Sequence, residues 1–280
     1  MKKTFVLLAT ALMVAACENP VIPEMQDEKP TKRVKFEVNA NGWEVTRALE
    51  ADGVSMTDLW LFDYVNGELI RTLHKVSTDA DFSEPVLTMD YGEHHVYFVA
   101  SRGKNPTVDG TTISWESTSD TFWKDVAVTV SSAATSSVSV AMDRVATRLR
   151  VMVNDEVPED LMRLVITPAL WYYGIDYTTG AAVEEQADAA RSINIPASYA
   201  GTSGQLAVSI FGISDADEWT TDVSVEAFDG DGNNVGVVAL ADVPFMRNRT
   251  TVASGNLFAA GSTFAVSLND EWLNDYTIEW

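Results

Sequence analysis

The sequence predicts an all-β protein made of two antiparallel β-sandwiches in tandem. Short segments alternating apolar and polar residues at period two recur along most of the chain. Clusters of Gly, Asn, Asp and Ser separate them, and the amphipathic period of a helix is nearly absent. A chain of 280 residues, 46% hydrophobic and 10% aromatic, has material for a full core in each half.

The N-terminus carries a different signal. Lys2 and Lys3 precede the apolar run Phe5 to Ala16, which has the length of a secretory signal and is too short to span a bilayer. It closes on Val14-Ala15-Ala16-Cys17, which resembles the lipobox of bacterial lipoproteins. That resemblance implies cleavage between Ala16 and Cys17 and attachment of lipid, palmitate among its acyl chains, to the Cys17 thiol. Cys17 is the single cysteine of the chain, so no internal disulfide can form. Residues 1–16 read as the signal peptide. Residues 17–32, with Pro20, Pro23 and Pro30 among charges, read as an extended lipidated tether.

Strands then follow in order. Residues 33–39 alternate strictly and give a half-buried strand. Residues 59–64 and 68–74 flank Asn66-Gly67, the strongest short hairpin signal. Segments 86–89, 96–100, 126–130 and 138–142 continue the series, while Gly103 to Ser119 reads as a long loop. A second series opens at Val145 and runs through 149–153, 164–167, 206–211, 223–228, 235–240, 251–258 and 264–268. Short helical turns are expected at Glu159–Met162 and Glu184–Ala190. About 14 strands exceed one ordinary sandwich, which divides the chain into β-domains at 33–142 and 143–280. A weak internal echo, strand then Phe-Asp then Gly turn, links residues 59–67 with 225–232.

Charge excludes several partners. Removing residues 1–16 takes away Lys2 and Lys3 and no acid, leaving 17 basic against 41 acidic residues, a net charge of −24. Such a surface repels nucleic acid and anionic headgroups. No G-x-S-x-G elbow, H-E-x-x-H or P-loop is present, so the chain reads as a non-enzyme with no cofactor. His94 and His95, adjacent on a strand, face opposite sides and cannot share a metal. Asp229, Asp231 and Asn233 have the spacing of a calcium loop, but Leu240 stands where the bidentate acid belongs, and a hairpin turn accounts better for the segment.

Several stretches together resemble one family: VKFEV (34–38), VTRALEADGVSMTDLWLFDYVNGELI (45–70), EHHVYFVASRG (93–103), MDRVATRLRVMV (142–153), VPFMRNRTTVASGNLF (243–258) and FAVSLNDEW (264–272). Their order and spacing resemble the fimbrillin-type lipoproteins that build type V pili, with the anchor and accessory subunits the nearer match. The resemblance implies two transthyretin-like sandwiches, an outer-membrane, cell-surface location and a place in a fimbrium. Its partners would be other fimbrial subunits joined by strand exchange, the membrane through the lipid on Cys17, and a host or bacterial surface ligand. It also implies a processing cut between Arg47 and Ala48, releasing the strand at 34–38; the alternative is that Arg47 is simply a loop arginine. The tail, with Tyr276, Ile278 and Trp280 at period two, is either a donated strand or the last strand of its own domain, and the second is preferred.

The eight tryptophans support an alternative, a surface glycan-binding lipoprotein. Trp115, Trp123, Trp171-Tyr172-Tyr173 and Trp219 lie in or near expected loops, where rings stack on sugars. Trp60 and Trp272 are expected in the core.

Overall fold

The computed structural model describes residues 29–40, 50–51, 54–134, 136–259, 261–269, 272 and 278–279. The first half contains β1 (Thr31–Ala40), the short pair β2 (Glu50–Ala51) and β3 (Val54–Ser55), β4 (Asp58–Val65) and β5 (Glu68–Val76). It continues with β6 (Val86–Asp90), β7 (Gly92–Ser101), β8 (Lys104–Asp109), β9 (Thr112–Ser117), β10 (Thr121–Val130) and β11 (Ser137–Arg144). The second half contains β12 (Ala146–Val153), β13 (Leu161–Pro168), β14 (Leu170–Asp176), β15 (Ala181–Ala187) and β16 (Arg191–Asn194). After a 3-10 turn at Ala197–Tyr199 come β17 (Leu206–Ile213), β18 (Trp219–Asp229), β19 (Asn234–Phe245), β20 (Thr250–Asn256), β21 (Thr263–Leu268) and β22 (Ile278–Glu279). The protein is all-β, as its period-two patterning requires.

The two halves repeat one topology. In the first, the layer β5-β4-β7-β10 passes to the layer β11-β1-β6 through only two residue pairs, Phe122 with Arg144 and Trp123 with Asp143. In the second, the layers are β16-β13-β18-β19 and β20-β12-β17, the latter extended by β21 and β22. Strand senses correspond as well. β1 is parallel to β11 and antiparallel to β6, while β12 is parallel to β20 and antiparallel to β17. The repeat therefore maps β4 onto β13 and β7 onto β18. The echo between residues 59–67 and 225–232 joins β4 with β18, which are not equivalent, so it is coincidental.

Each sandwich has its own core. Val34, Phe36, Leu59, Leu61, Phe98, Phe122 and Met142 fill the first, and Leu149, Ile166, Trp171, Val208, Val225 and Phe245 the second. A third cluster, including Trp60, Phe62, Trp115, Val145, Ile175, Tyr177 and Ile213, draws on both halves. It lies against two hairpins added to the common topology, β8-β9 in the first half and β14-β15 in the second. These hairpins pair with each other through β9 and β14 into one four-stranded sheet. Burying such large apolar side chains contributes about 1.5–3 kcal/mol each, so this cluster couples the halves by packing as well as by chain continuity.

Three expectations are corrected here. Gly103–Ser119 is not a loop but mostly the hairpin β8-β9. Every residue of β8 is exposed, so no alternation marks it as a strand. Glu184–Ala190 is not helical, because residues 184–187 belong to β15, another wet strand beside β14. Of Glu159–Met162, Leu161 and Met162 already start β13. An edge strand wetted on both faces leaves little imprint on hydrophobic periodicity.

Candidate functional site

The strand expected at residues 33–39 runs further, from Thr31 to Ala40, and lies inside its sheet. Lys35–Ala40 pair with Ser137–Met142 on one side, and Thr31–Lys35 pair with Val86–Asp90 on the other. Beyond the ladder with β6, Phe36 N–H donates to Pro85 O at 2.9 Å and Val38 N–H to Ser83 O at 2.9 Å. Val34, Phe36 and Val38 point inward at 1%, 0% and 2% exposure, and the Phe36 ring meets Phe98 edge-on at 5.3 Å. Their burial alone is worth on the order of 5–9 kcal/mol. Outward, Lys35 lies between Glu37 and Glu84, and its ammonium is held above the ordinary lysine range chiefly by the hydrogen bond to Glu37. Removal of β1 would uncover an apolar slot flanked by two unpaired strand edges.

Cys17, Ala16, Arg47 and Ala48 all lie outside the described residues. The tail is described at Trp272 and at β22, which runs parallel to β17 opposite Val208 and Ser209. Trp272, expected in the core, is half-buried and packs on the guanidiniums of Arg144 at 4.2 Å and Arg148 at 4.9 Å. Arg144 binds Asp120 with two bonds, at 2.8 and 3.0 Å, and reaches Asn248 at 3.2 Å. One buried cation thus ties residues from the first sandwich, the second sandwich and the tail.

The aromatics expected near loops divide between buried and half-buried, with Tyr173 at 3% exposure and Tyr172 half-buried against Trp219 at 5.5 Å. Trp115 and Trp171 are 3% and 0% exposed. The Trp171 Nε1–H donates to Phe211 O at 2.8 Å, and its ring packs on Phe245 at 5.0 Å. Trp123 and Trp219 are half-buried, donating to Tyr177 O at 2.7 Å and Ser214 Oγ at 2.9 Å. Hydrogen-bond partners for the N–H groups of Trp171, Trp123 and Trp219 offset the burial of those three rings. Trp60, at 3% exposure, is in the core as expected.

His94 and His95 do face opposite ways. His94 is buried, with Nδ1 at 2.7 Å from Asp63 Oδ1 and Nε2 at 3.0 Å from Asp90 O. His95 is exposed, stacked on Tyr97 at 4.9 Å and 9°, with Nε2 at 3.0 Å from Asp125 Oδ2. Asp229 closes a hairpin turn, accepting from the backbone N–H of Asp231 at 2.9 Å and Asn233 at 2.8 Å. The hydrogen bond from the Asn233 side chain heads the contacts that keep its carboxyl below the usual range.

A cleft of ≈ 300 Å³ opens on the outer face of β4, β7 and β10, lined by Tyr64, Glu93, His95, Tyr97, Ala127 and the Asn66-Gly67 turn among others. Tyr64 meets Tyr97 at 5.4 Å and 84°, and its hydroxyl lies 3.1 Å from that of Tyr177. Tyr177 stacks on Phe62 at 3.6 Å, and burial pushes its hydroxyl well above the usual phenol range. Sequence reasoning missed this cleft. Its signal was present: Tyr64, His95 and Tyr97 all occupy positions facing one way on paired strands. Among the described residues, no group of three or more His, Cys, Asp or Glu is placed to hold a metal, and no helix is long and apolar enough to cross a membrane.

Comparison with known proteins follows the fold. The model of a family of unknown function, DUF6562, matches residues 80–279. Among solved structures, a candidate cell-adhesion protein from Bacteroides uniformis is 12% identical with a TM-score of 0.53, covering 86% of this chain and 99% of that one. A candidate adhesin from Bacteroides thetaiotaomicron is 11% identical with a TM-score of 0.52, covering 88% and 98%. A candidate polysaccharide-binding protein from the same organism is 8% identical with a TM-score of 0.52, covering 86% and 96%. At these identities the likeness is one of fold. No curated protein matches.

Proposed function

The chain belongs to the DUF6562 family of unknown function, and we propose that it is a non-enzymatic, cell-surface adhesion lipoprotein of the fimbrial type. One observation carries this reading: β1, the first strand among the described residues, fills the middle of a three-stranded layer and contributes Val34, Phe36 and Val38 to the core. A strand so placed is separable from the rest by one cut in residues 41–57, and the slot it leaves accepts a strand from a neighbour by β-augmentation. Arg47-Ala48 falls in that stretch.

In this proposal the two repeated sandwiches are the two domains, and the lipid on Cys17 holds them at the outer membrane. Retention of β1 makes the chain an anchor or accessory subunit. Its removal carries the lipid away and makes the chain a polymerising subunit. Adhesion proteins among the solved structures of this fold support a surface role. The tail, paired with β17 in its own chain, favours the anchor or accessory form. The test is the N-terminal mass of the protein recovered from its own cell envelope. A diacylated chain starting at Cys17 supports the anchor form, and a chain starting at Ala48 the polymerising form. An unlipidated chain beginning elsewhere overturns both.

A further inference from the structure

The cleft on β4, β7 and β10 has a chemistry that selects its ligand, and it does so whether or not β1 is ever removed. Tyr64 and Tyr97 form a corner, their planes 84° apart. Ala127, the small residue on β10 opposite His95, leaves the depression. Glu93 brings a carboxylate to the cleft, one oxygen held by Thr129 at 2.9 Å, and Asp125 lies behind His95, 3.0 Å from its Nε2. Neither lysine nor arginine lines the cleft, and the whole chain carries a formal charge of −22.

An anionic ligand is therefore repelled. A hexose needs an open ring face on which to lie, but Tyr97 already has His95 parallel to it at 4.9 Å and Tyr64 against it at 5.4 Å. A cation needs less area: the π-electrons of two tyrosines set at an angle, and a carboxylate within reach, attract it together. We propose that this cleft is a docking pocket for a basic side chain, a lysine ammonium or arginine guanidinium, presented by a protein partner. The ≈ 300 Å³ suits one long side chain, with its methylenes against Ala127 and the tyrosine rings and its charge at the acidic rim.

The test is calorimetric titration of the full chain with a tri-lysine peptide blocked at both ends, at low salt. Saturable one-to-one binding is expected. Tyr97→Ala and Glu93→Gln should each weaken it about tenfold or more, whereas Tyr97→Phe, which keeps the ring, should stay within about threefold. Asp231→Asn removes an equal charge from a turn on the second sandwich and should change it less than about twofold. Circular dichroism checks that each variant is folded. The proposal is overturned if the Nε-acetylated peptide binds as well as the free one. It is equally overturned if Asp231→Asn weakens binding as much as Glu93→Gln, since attraction would then be diffuse. Binding of maltotriose that Tyr97→Ala abolishes, with no binding of the peptide, would make the cleft a sugar site instead.

Discussion

Replacing His94 tests how the first sandwich tolerates an acid in its interior. Asp63 and His94 are 1% and 5% exposed, and the imidazole is the partner of Asp63 Oδ1 at 2.7 Å. Asp63 Oδ2 has no hydrogen-bond partner. His94→Leu leaves the whole carboxylate buried and unpaired, for which about 3–5 kcal/mol of stability is lost. In a chain of this size that corresponds to a drop in Tm of roughly 6–20 °C. Asp63→Leu alone costs less, because the imidazole keeps its contact with Asp90 O. In the double variant Asp63→Leu/His94→Leu no carboxylate is left buried and unpaired, so its loss should fall well short of the sum of the two single losses. Urea unfolding followed by tryptophan fluorescence, with an unchanged m-value, measures all four proteins. The expected coupling is on the order of 3 kcal/mol. A double variant as unstable as the sum of the two single ones would refute the reasoning, since the loss would then come from packing and not from the stranded charge.

Other expectations follow from the same geometry. In Gly212→Ala the new methyl would meet the Trp171 indole at 2.6 Å, and Trp171 is fully buried, so a loss of about 1–3 kcal/mol in urea unfolding is expected. Phe36→Ala, at 0% exposure against Phe98, should cost about 3–5 kcal/mol, whereas Glu37→Ala on the wet face of the same strand should cost far less. Burial pushes the Asp176 carboxyl up, but hydrogen bonds from Thr178, Thr111 and Thr179 together outweigh it, so the group stays below its ordinary value. That stabilisation is present above the unfolded value near ~3.9 and lost as pH falls through the lower folded value, and Thr178→Val should flatten this acid loss in a pH series. Desolvation raises Tyr97, Tyr172 and Tyr177 above the usual phenol range, so in the folded protein their tyrosinate absorbance should develop only above pH ~10.

Patterning in the chain is enough to determine the fold class, and the physical reason is local. A strand with one wet and one dry face must alternate, so β1, β12 and β18 announce themselves by period two. Asn66-Gly67 likewise determines its hairpin, with φ of 53° and 82° at two positions that few other residue pairs occupy without strain. The opposite facing of His94 and His95 follows from the same alternation.

Only the tertiary structure decided the rest. Strands β8 and β15 are wet on both faces and stabilised by their partners, so nothing in their own sequence marks them. The pairing of β9 with β14 joins residues some sixty positions apart, and a contact of that range leaves no local trace. Trp115 and Trp171 looked suited to a sugar-binding surface because they fall between obvious strands, yet packing against Gly103 and Gly212 puts both inside. Arg144 and Asp63 show the other side of this. Each is an ionisable side chain at an apolar position of a strand, and each is tolerated because the fold brings a distant polar partner, Asp120 or His94, within hydrogen-bonding distance. The cleft exists for the same reason: Tyr64 and Tyr97 sit on separate strands, and only the antiparallel register of β4 with β7 turns them into one corner.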